Sequence, residues 1–107
     1  MNQITPGQLA AWLADAGREK PLLLDVREPW EWEAARIAGS TPIPMREVPA
    51  RVGELDAARE VVAICHHGGR SRQVALFLEK NGFSKVHNLE GGVDAWSRTV
   101  DPAVPLY

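Results

Sequence analysis

Two short apolar runs predict strands that are buried on both faces of a sheet. The first run is Leu22–Val26 and the second is Glu60–Ile64. Continuous apolar runs of this length are typical of parallel strands that are covered on both sides. Thr41–Pro44 predicts an extended edge strand, because its two prolines cannot donate to a central ladder. Ser84–Leu89 predicts one more short strand.

Helical spacing fills the stretches between these strands. Leu9, Trp12 and Leu13 share one helical face. A capping box at Thr5–Gln8 begins this helix, and we expect Gly17 to end it in the left-handed conformation. Further helical segments are predicted from Pro29, over Met45–Leu55 with an irregular course, over Ser71–Asn81 and over Val93–Trp96. The alternation predicts an α/β fold in one domain, residues 1–107, with a mostly parallel sheet and helices on both faces.

Composition and charge narrow the function classes. The formal net charge of the 107 residues is −2, which supplies no broad basic surface, so no nucleic-acid partner is expected. No apolar run approaches the length of a membrane span, and the N-terminal residues lack the basic and apolar regions of a secretory signal. A lone cysteine cannot form an internal disulfide. We therefore expect a protein of the reducing cytoplasm with no membrane partner.

The stretch after the second buried strand carries the candidate chemistry. That strand leads to Cys65, the only cysteine, and a loop separates it from the helix that begins at Ser71. A thiol attacks as its thiolate. The open amides of a helix start, a glycine-rich loop that curls around an anion and a nearby arginine all favour that negative charge. We interpret Cys65 as a sulfur-carrying nucleophile and the loop as its substrate-binding group, comprising His66, His67, Gly68, Gly69 and Arg70.

A structural role and a metal-binding role are the alternatives to a nucleophilic Cys65. A lone cysteine at a strand end is often a small buried apolar residue, but two histidines, two glycines and an arginine do not continue a core sequence. Cys65, His66, His67 and His87 are potential metal ligands. Adjacent histidines with no second cysteine do not match a standard zinc spacing, so we predict no metal and no cofactor. We expect His66 and His67 to line the mouth of the loop, to tune its charge or to face solvent.

Charged residues around the end of the first buried strand form a second candidate group. Asp25 lies at the carboxyl end of that strand, where ligands gather in open α/β sheets. Such a carboxylate is more often structural than catalytic. Arg27 and Glu31 are placed to reach towards a neighbouring loop. We expect all three side chains to support the Cys65 loop rather than to react.

Four ordered segments of the chain resemble the signatures of a known family. The segments are Leu23–Trp32, Ala35–Pro44, Cys65–Ser71 and Leu89–Trp96, and together they extend over nearly the whole chain. The family that they resemble is that of the single-domain rhodaneses, the thiosulfate sulfurtransferase family. The sequence departs from the usual family pattern at Ala35-Arg36, where Gly-His is usual, and at Ala38, where proline is usual.

The resemblance implies a five-stranded parallel sheet and a sulfurtransferase. Cys65 would take a sulfane sulfur from thiosulfate or a similar small-molecule donor and hold it as a persulfide. The persulfide would pass the sulfur to a nucleophilic acceptor, which is cyanide, a thiol or a protein acceptor. Loop amides from His66 to Arg70 would cradle the sulfur. Glu31 would brace the loop through Arg70, and Asp25 would be a structural residue nearby.

Two alternatives to an active transferase remain at this point. Rhodanese-like phosphatases have one residue more between cysteine and arginine than the four between Cys65 and Arg70 here, and the smaller loop suits a terminal sulfur better than a phosphate. The second alternative is a sulfur carrier or protein-interaction module with little small-molecule turnover. Inactive relatives commonly lack the cysteine, so its presence favours the transferase.

Overall fold

The computed structural model describes residues 1–107 and contains one five-stranded sheet. Its strands are β1 Asn2–Ile4, β2 Leu22–Asp25, β3 Thr41–Pro42, β4 Val61–Ile64 and β5 Val86–Leu89. Their order across the sheet is β1-β5-β4-β2-β3, and every neighbouring pair is parallel. This architecture confirms the predicted α/β fold. It also places β4, the strand that leads to Cys65, at the centre of the sheet.

Five α-helices connect or follow the strands. They are α1 Pro6–Ala14, α2 Pro29–Ala34, α3 Val48–Arg51, α4 Gly69–Lys80 and α5 Gly92–Thr99. Short 3₁₀ turns at Met45–Glu47 and Val52–Glu54 flank α3, which gives this connection the irregular course predicted for it. None of the helices combines the length and the apolar character that crossing a membrane requires.

Alternate side chains of the central strand pack on opposite faces of the sheet. Val62 and Ile64 face a core cluster that includes residues of α1 and α5. Val61 and Ala63 face a second cluster that includes residues of α4, and Cys65 belongs to this second cluster. Burial on both faces explains why the sequence of β4 is an unbroken apolar run rather than an alternating one.

Two of the predicted helix ends are confirmed in detail. At the start of α1, the Gln8 amide donates to Thr5 Oγ1 at 3.1 Å and the Thr5 amide donates to Gln8 Oε1 at 2.9 Å, which is a complete capping box. At the end of α4, Gly82 has φ +93° and the Phe83 amide donates to Leu78 O at 3.1 Å. This Schellman turn ends α4 next to Asn81, where the sequence predicts the end of this helix.

Two predicted boundaries are wrong, and one strand was not predicted. α1 ends at Ala14 and Gly17 has no positive φ, because Asp15 ends the helix in an extended conformation and its carboxylate accepts from the Gly17 amide. α4 begins at Gly69 rather than Ser71, because Gly68 adopts a left-handed conformation just before it. β1 was not predicted at all, because Ile4 is the only buried residue among its three and no periodicity can be recognised in so short a strand.

Candidate active site

Cys65 lies at the carboxyl end of β4, at the base of a tight loop. Only 1% of its surface is exposed. Its Sγ accepts a hydrogen bond from the Gly68 amide at 3.0 Å and lies 3.2 Å from Ser71 Oγ. Gly68 has φ +106°, a conformation that side-chain-bearing residues rarely adopt, and this turn aims its amide back at the sulfur.

The first turn of α4 presents open donors next to this loop. The amides of Gly69, Arg70 and Ser71 donate to no acceptor in the protein, and the first internal bond of the helix start runs from Arg72 to Gly68 O at 3.2 Å. Unpaired amides at a helix start carry partial positive charge and bind anions. Of the loop amides, only that of Gly68 bonds to Sγ itself, so the others remain free for a group attached to the sulfur.

The start of α5 holds the backbone of the same loop from the other side. The Val93 amide donates to Cys65 O at 2.9 Å, and the Asp94 amide donates to His66 O at 3.1 Å. Gly92 makes this approach close. It has φ +61°, and a Cβ at this position would lie 2.4 Å from the carbonyl oxygens of both Cys65 and His66.

A buried polar chain connects Ser71 to the edge of the sheet. Asn88 Nδ2 donates to Gly68 O at 3.1 Å and to Gln3 Oε1 at 3.2 Å, which turns Asn88 Oδ1 towards Ser71 Oγ. Ser71 is fully buried. A serine hydroxyl has one hydrogen, so Ser71 donates either to Asn88 or to the sulfur of Cys65. The donor can therefore turn towards the sulfur when the sulfur becomes negative.

Arg70, in the first turn of α4, forms a two-point ion pair with Glu31 on α2. Its Nη1 and Nη2 lie 2.6 and 2.8 Å from Glu31 Oε1 and Oε2. These charge-assisted bonds, together with the Glu28 amide and despite burial, lower the pKa of Glu31 to about 2. The same pairing raises the pKa of Arg70. Glu31 therefore stays ionised and ties α2 to the start of α4.

Asp25 and Arg27 form a fully buried ion pair beside β4. Arg27 Nη2 lies 2.7 Å from Asp25 Oδ2, and Arg27 Nε lies 2.9 Å from Asp25 Oδ1. Burial alone would lower the pKa of Arg27, but the bonds to Asp25 and Tyr107 outweigh it and the pKa is raised. Neither side chain hydrogen bonds to the Cys65 loop.

Tyr107 connects that buried pair to the ion pair at the loop. Its hydroxyl accepts from Arg27 Nη1 at 2.7 Å and donates to Glu31 Oε2 at 2.9 Å. Burial raises the pKa of Tyr107 to about 12, so the phenol keeps its proton. Its ring stacks on His66 with the centroids 4.0 Å apart. One polar network thus runs from Asp25 to Arg70.

The histidines named in the sequence analysis separate into two groups. His66 and His67 lie against each other at the loop, with their ring centroids 3.9 Å apart and their planes tilted by 34°. Burial and the neighbouring His67 lower the pKa of His66. His87 lies elsewhere on the sheet, where its Nε2 is 2.9 Å from Glu60 Oε2 and its ring packs edge-on against Trp12.

A comparison with known families matches the model of the rhodanese-like domain over residues 5–99. The chain belongs to the rhodanese-like domain family. The match covers every element from α1 to α5, together with the Cys65 loop and its supporting acidic and basic residues.

Individual rhodanese-like relatives agree with this family. A protein named "Sulfurtransferase" from Allochromatium vinosum is 38% identical over 104 residues, covering 97% of this chain and 95% of the relative. A "Putative sulfur carrier protein YrkF" from Bacillus subtilis is 44% identical over 75 residues, covering 70% of this chain and 40% of the relative. Several longer relatives are matched over only 21% to 40% of their own length.

A solved rhodanese-like structure superposes on the whole chain. The crystal structure of a rhodanese-like domain protein from Staphylococcus aureus gives a TM-score of 0.85 at 28% identity. The alignment covers 100% of this chain and 99% of the other. The fold that positions the Cys65 loop is therefore that of the rhodanese-like family.

Sequence reasoning missed three residues of this rhodanese-like site as side-chain contributors. They are Ser71, treated only as a helix start, Asn88 and Tyr107. Asn88 is the one polar residue among the buried positions of β5, and a buried amide in a strand is a signal that it bonds to something specific. No comparable signal marks Tyr107, which follows the matched region and reaches the site only through the fold.

Proposed function

We propose that this rhodanese-like chain is a sulfurtransferase that moves a sulfane sulfur from thiosulfate or a similar donor to a nucleophilic acceptor through a persulfide on Cys65. The observation that carries the proposal is the position of Sγ. It lies against the Gly68 amide and the Ser71 hydroxyl, beside three first-turn amides that have no acceptor. Such a cluster of donors stabilises a negatively charged terminal sulfur.

The first half of the reaction loads the cysteine. The Cys65 thiolate attacks the outer sulfur of thiosulfate, so a sulfur–sulfur bond to Cys65 forms while the bond to the sulfonate sulfur breaks. Sulfite leaves with the electron pair. The loop amides and Ser71 then hold the terminal sulfur of the persulfide anion, and no outside oxidant or reductant is needed.

The second half of the reaction unloads it. The acceptor attacks the terminal sulfur, the bond between the two sulfurs breaks, and its electron pair returns to Cys65 as the thiolate. Cyanide becomes thiocyanate, and a thiol acceptor becomes a persulfide. Because the thiolate must be regenerated in each cycle, a reducing compartment such as the cytoplasm suits this chemistry.

An open cleft borders the loop on the side of Arg70. It has a volume of about 410 Å³ and is lined by Val26, Glu28, Met45, Arg46 and Arg70. Both arginines in its wall are paired with carboxylates, Arg46 with Glu28 and Arg70 with Glu31. A larger cleft of about 500 Å³ lies along β1 and α1 and does not include the Cys65 loop, so size alone does not mark the reactive site.

A sulfur carrier that serves a protein acceptor is the second candidate. One relative carries the name of a sulfur carrier, which supports it. The relative that matches over almost its whole length carries the name of a sulfurtransferase, which supports the first candidate.

The deciding experiment follows sulfur on Cys65. After treatment with thiosulfate, we expect mass spectrometry to find one added sulfur on Cys65 and the cyanide assay to give thiocyanate. Cys65→Ser should abolish both with the fold intact by circular dichroism. Ser84→Ala, a matched change at an exposed position, should leave both unchanged.

The outcomes separate the candidates. Persulfide formation without steady turnover would favour the carrier, and its transfer to an added protein thiol would then be measured. An unmodified Cys65 with hydrolysis of a phosphate ester would refute sulfur transfer and support the phosphatase. Normal thiocyanate formation by Cys65→Ser would exclude Cys65 as the nucleophile.

A further inference from the structure

We propose that His66, His67 and Asp94 form a binding site for a divalent transition-metal ion of the zinc class. The three side chains offer ligand atoms that all lie within 4.8 Å of one another. His66 and His67 belong to the loop after β4, and Asp94 belongs to the first turn of α5. Asp94 is distant in sequence from the two histidines, which is why ligand spacing along the chain predicts no such site.

Most of the ligand atoms of this group make no hydrogen bond within the protein. The His66 ring stacks on Tyr107 and lies at a tilt against the His67 ring, and the ring nitrogens of both histidines have no hydrogen-bond partner in the protein. One oxygen of Asp94, Oδ2, accepts from Arg98 Nε at 3.0 Å, and the other has no protein donor. Arg98 is exposed, so this pair is weak and a metal ion can compete with it.

The backbone holds the two parts of the site together. The Asp94 amide donates to His66 O at 3.1 Å, and the missing side chain of Gly92 lets α5 approach the loop this closely. Stacking on Tyr107 orients the His66 ring. His67 is exposed and can turn. Small rotations of His67 and Asp94 are therefore enough to bring all three ligands to about 2.0–2.2 Å from one ion, the usual distances for zinc.

The set of donor atoms also suits a metal. Two imidazole nitrogens and a carboxylate oxygen are ligands that zinc uses in proteins, and three protein ligands leave the fourth tetrahedral position open.

The third histidine provides a matched control. His87 is occupied by its contact with Glu60 and its edge-on packing against Trp12. It stands apart from the group formed by the other two histidines and Asp94. Replacing it removes one histidine from the chain without touching the proposed site.

The test is a titration of the protein with Zn²⁺ alone, read by calorimetry and by competition with a coloured chelator. We expect one equivalent to bind to the wild type and, with the same affinity, to Cys65→Ser. Asp94→Asn and His67→Ala should each weaken binding by roughly tenfold or more, as losses at metal sites typically do. His87→Gln should leave the affinity unchanged, and Arg98→Ala should increase it.

Two results would overturn the proposal. If no Zn²⁺ binds, or if Asp94→Asn binds as well as the wild type, the three residues do not form a site. If Cys65→Ser loses the binding, the thiolate is the ligand instead. Because the readout is binding and Cys65→Ser is expected to retain it, this proposal can fail or hold independently of the proposed sulfur transfer.

Discussion

The helices α4 and α5 begin in the same way, but they act on Cys65 differently. Each is preceded by a glycine with positive φ, Gly68 at +106° and Gly91 at +74°, and neither has a side-chain cap. The first amides of α5 donate to the carbonyl oxygens of Cys65 and His66. The first amides of α4 have no acceptor in the protein, and they follow Gly68, whose amide donates to the sulfur.

Because of this difference, the start of α5 positions the loop and the start of α4 offers open hydrogen-bond donors. The Val93 and Asp94 amides of α5 are occupied by carbonyl oxygens of the loop, so this helix start fixes the position of the loop. The amides of α4 are held open, and the ion pair between Arg70 and Glu31 keeps that helix start in place. Two similar local structures therefore have opposite roles because of what packs against them.

Gly92→Ala should have the largest effect on stability, because it disrupts the close packing of α5 against the Cys65 loop. The added Cβ would lie 2.4 Å from two carbonyl oxygens, and the residue would keep a positive φ. We expect a loss of about 3–4 kcal/mol in the free energy of unfolding, from overpacking and backbone strain together. Chemical denaturation measures it.

Gly69→Ala is the matched control, because this position has open space around it and no positive φ, and the new residue keeps its amide. Its free energy of unfolding should stay within about 1 kcal/mol of the wild type. Equal losses in the two variants would mean that the close approach of α5 is not what holds the loop.

Glu31→Gln should have the next largest effect on stability, because it removes the ion pair with Arg70 that holds the start of α4 in place. The pKa of Glu31 is about 2 in the folded protein against 4.5 ordinarily, so its charge stabilises the fold above pH 4.5 and that contribution is lost as the pH falls towards 2. We expect the variant to be about 3 kcal/mol less stable at pH 7. Denaturation at several pH values should show the difference shrinking below pH 4.5.

The exposed Glu33 serves as the control for this change. Glu33→Gln should alter the free energy of unfolding by less than about 0.5 kcal/mol at any of these pH values. If the deficit of Glu31→Gln were instead constant between pH 7 and pH 2.5, Glu31 would act through packing rather than through its charge.

Ser71→Ala should have the smallest effect of the three and tests whether the open amides of α4 need a side-chain donor. The variant keeps the backbone donors and loses the hydroxyl that lies 3.2 Å from Sγ. We expect about a tenfold lower rate of sulfur transfer, since one hydrogen bond to a charged group is lost. Rapid-mixing assays of persulfide decay with cyanide measure it, and Ser84→Ala provides the unaffected reference. An unchanged rate would mean that the amides suffice.

Much of the fold was predictable because its signals are local. The buried strands Leu22–Asp25 and Val61–Ile64 are predictable from apolar runs, and the start of α1 is predictable from its capping box. β1 was missed because its pairing with β5, far along the chain, rather than its own sequence makes it a strand. The start of α4 was misplaced because a left-handed glycine, not a standard capping side chain, precedes it.

The candidate site was predictable in its loop and less so in its surroundings. Cys65 stands out because it is the only cysteine and ends a buried strand beside two glycines. The partners of the loop come from other elements: Asn88 from β5, Tyr107 from the C-terminal segment and Asp94 from α5. Nothing in the spacing of these residues relates them to Cys65, because through-space contacts leave no local pattern.

The sequence by itself determined that a strand delivers one thiol to a glycine-rich turn before a helix. Local rules suffice for that, since strand burial, turn conformation and helix starts depend on neighbours along the chain. Only the tertiary structure decided which amides around Cys65 are saturated and which stay open. That choice depends on how closely α5 packs against the loop and on the ion pair that links α2 to α4, and both are contacts between distant segments.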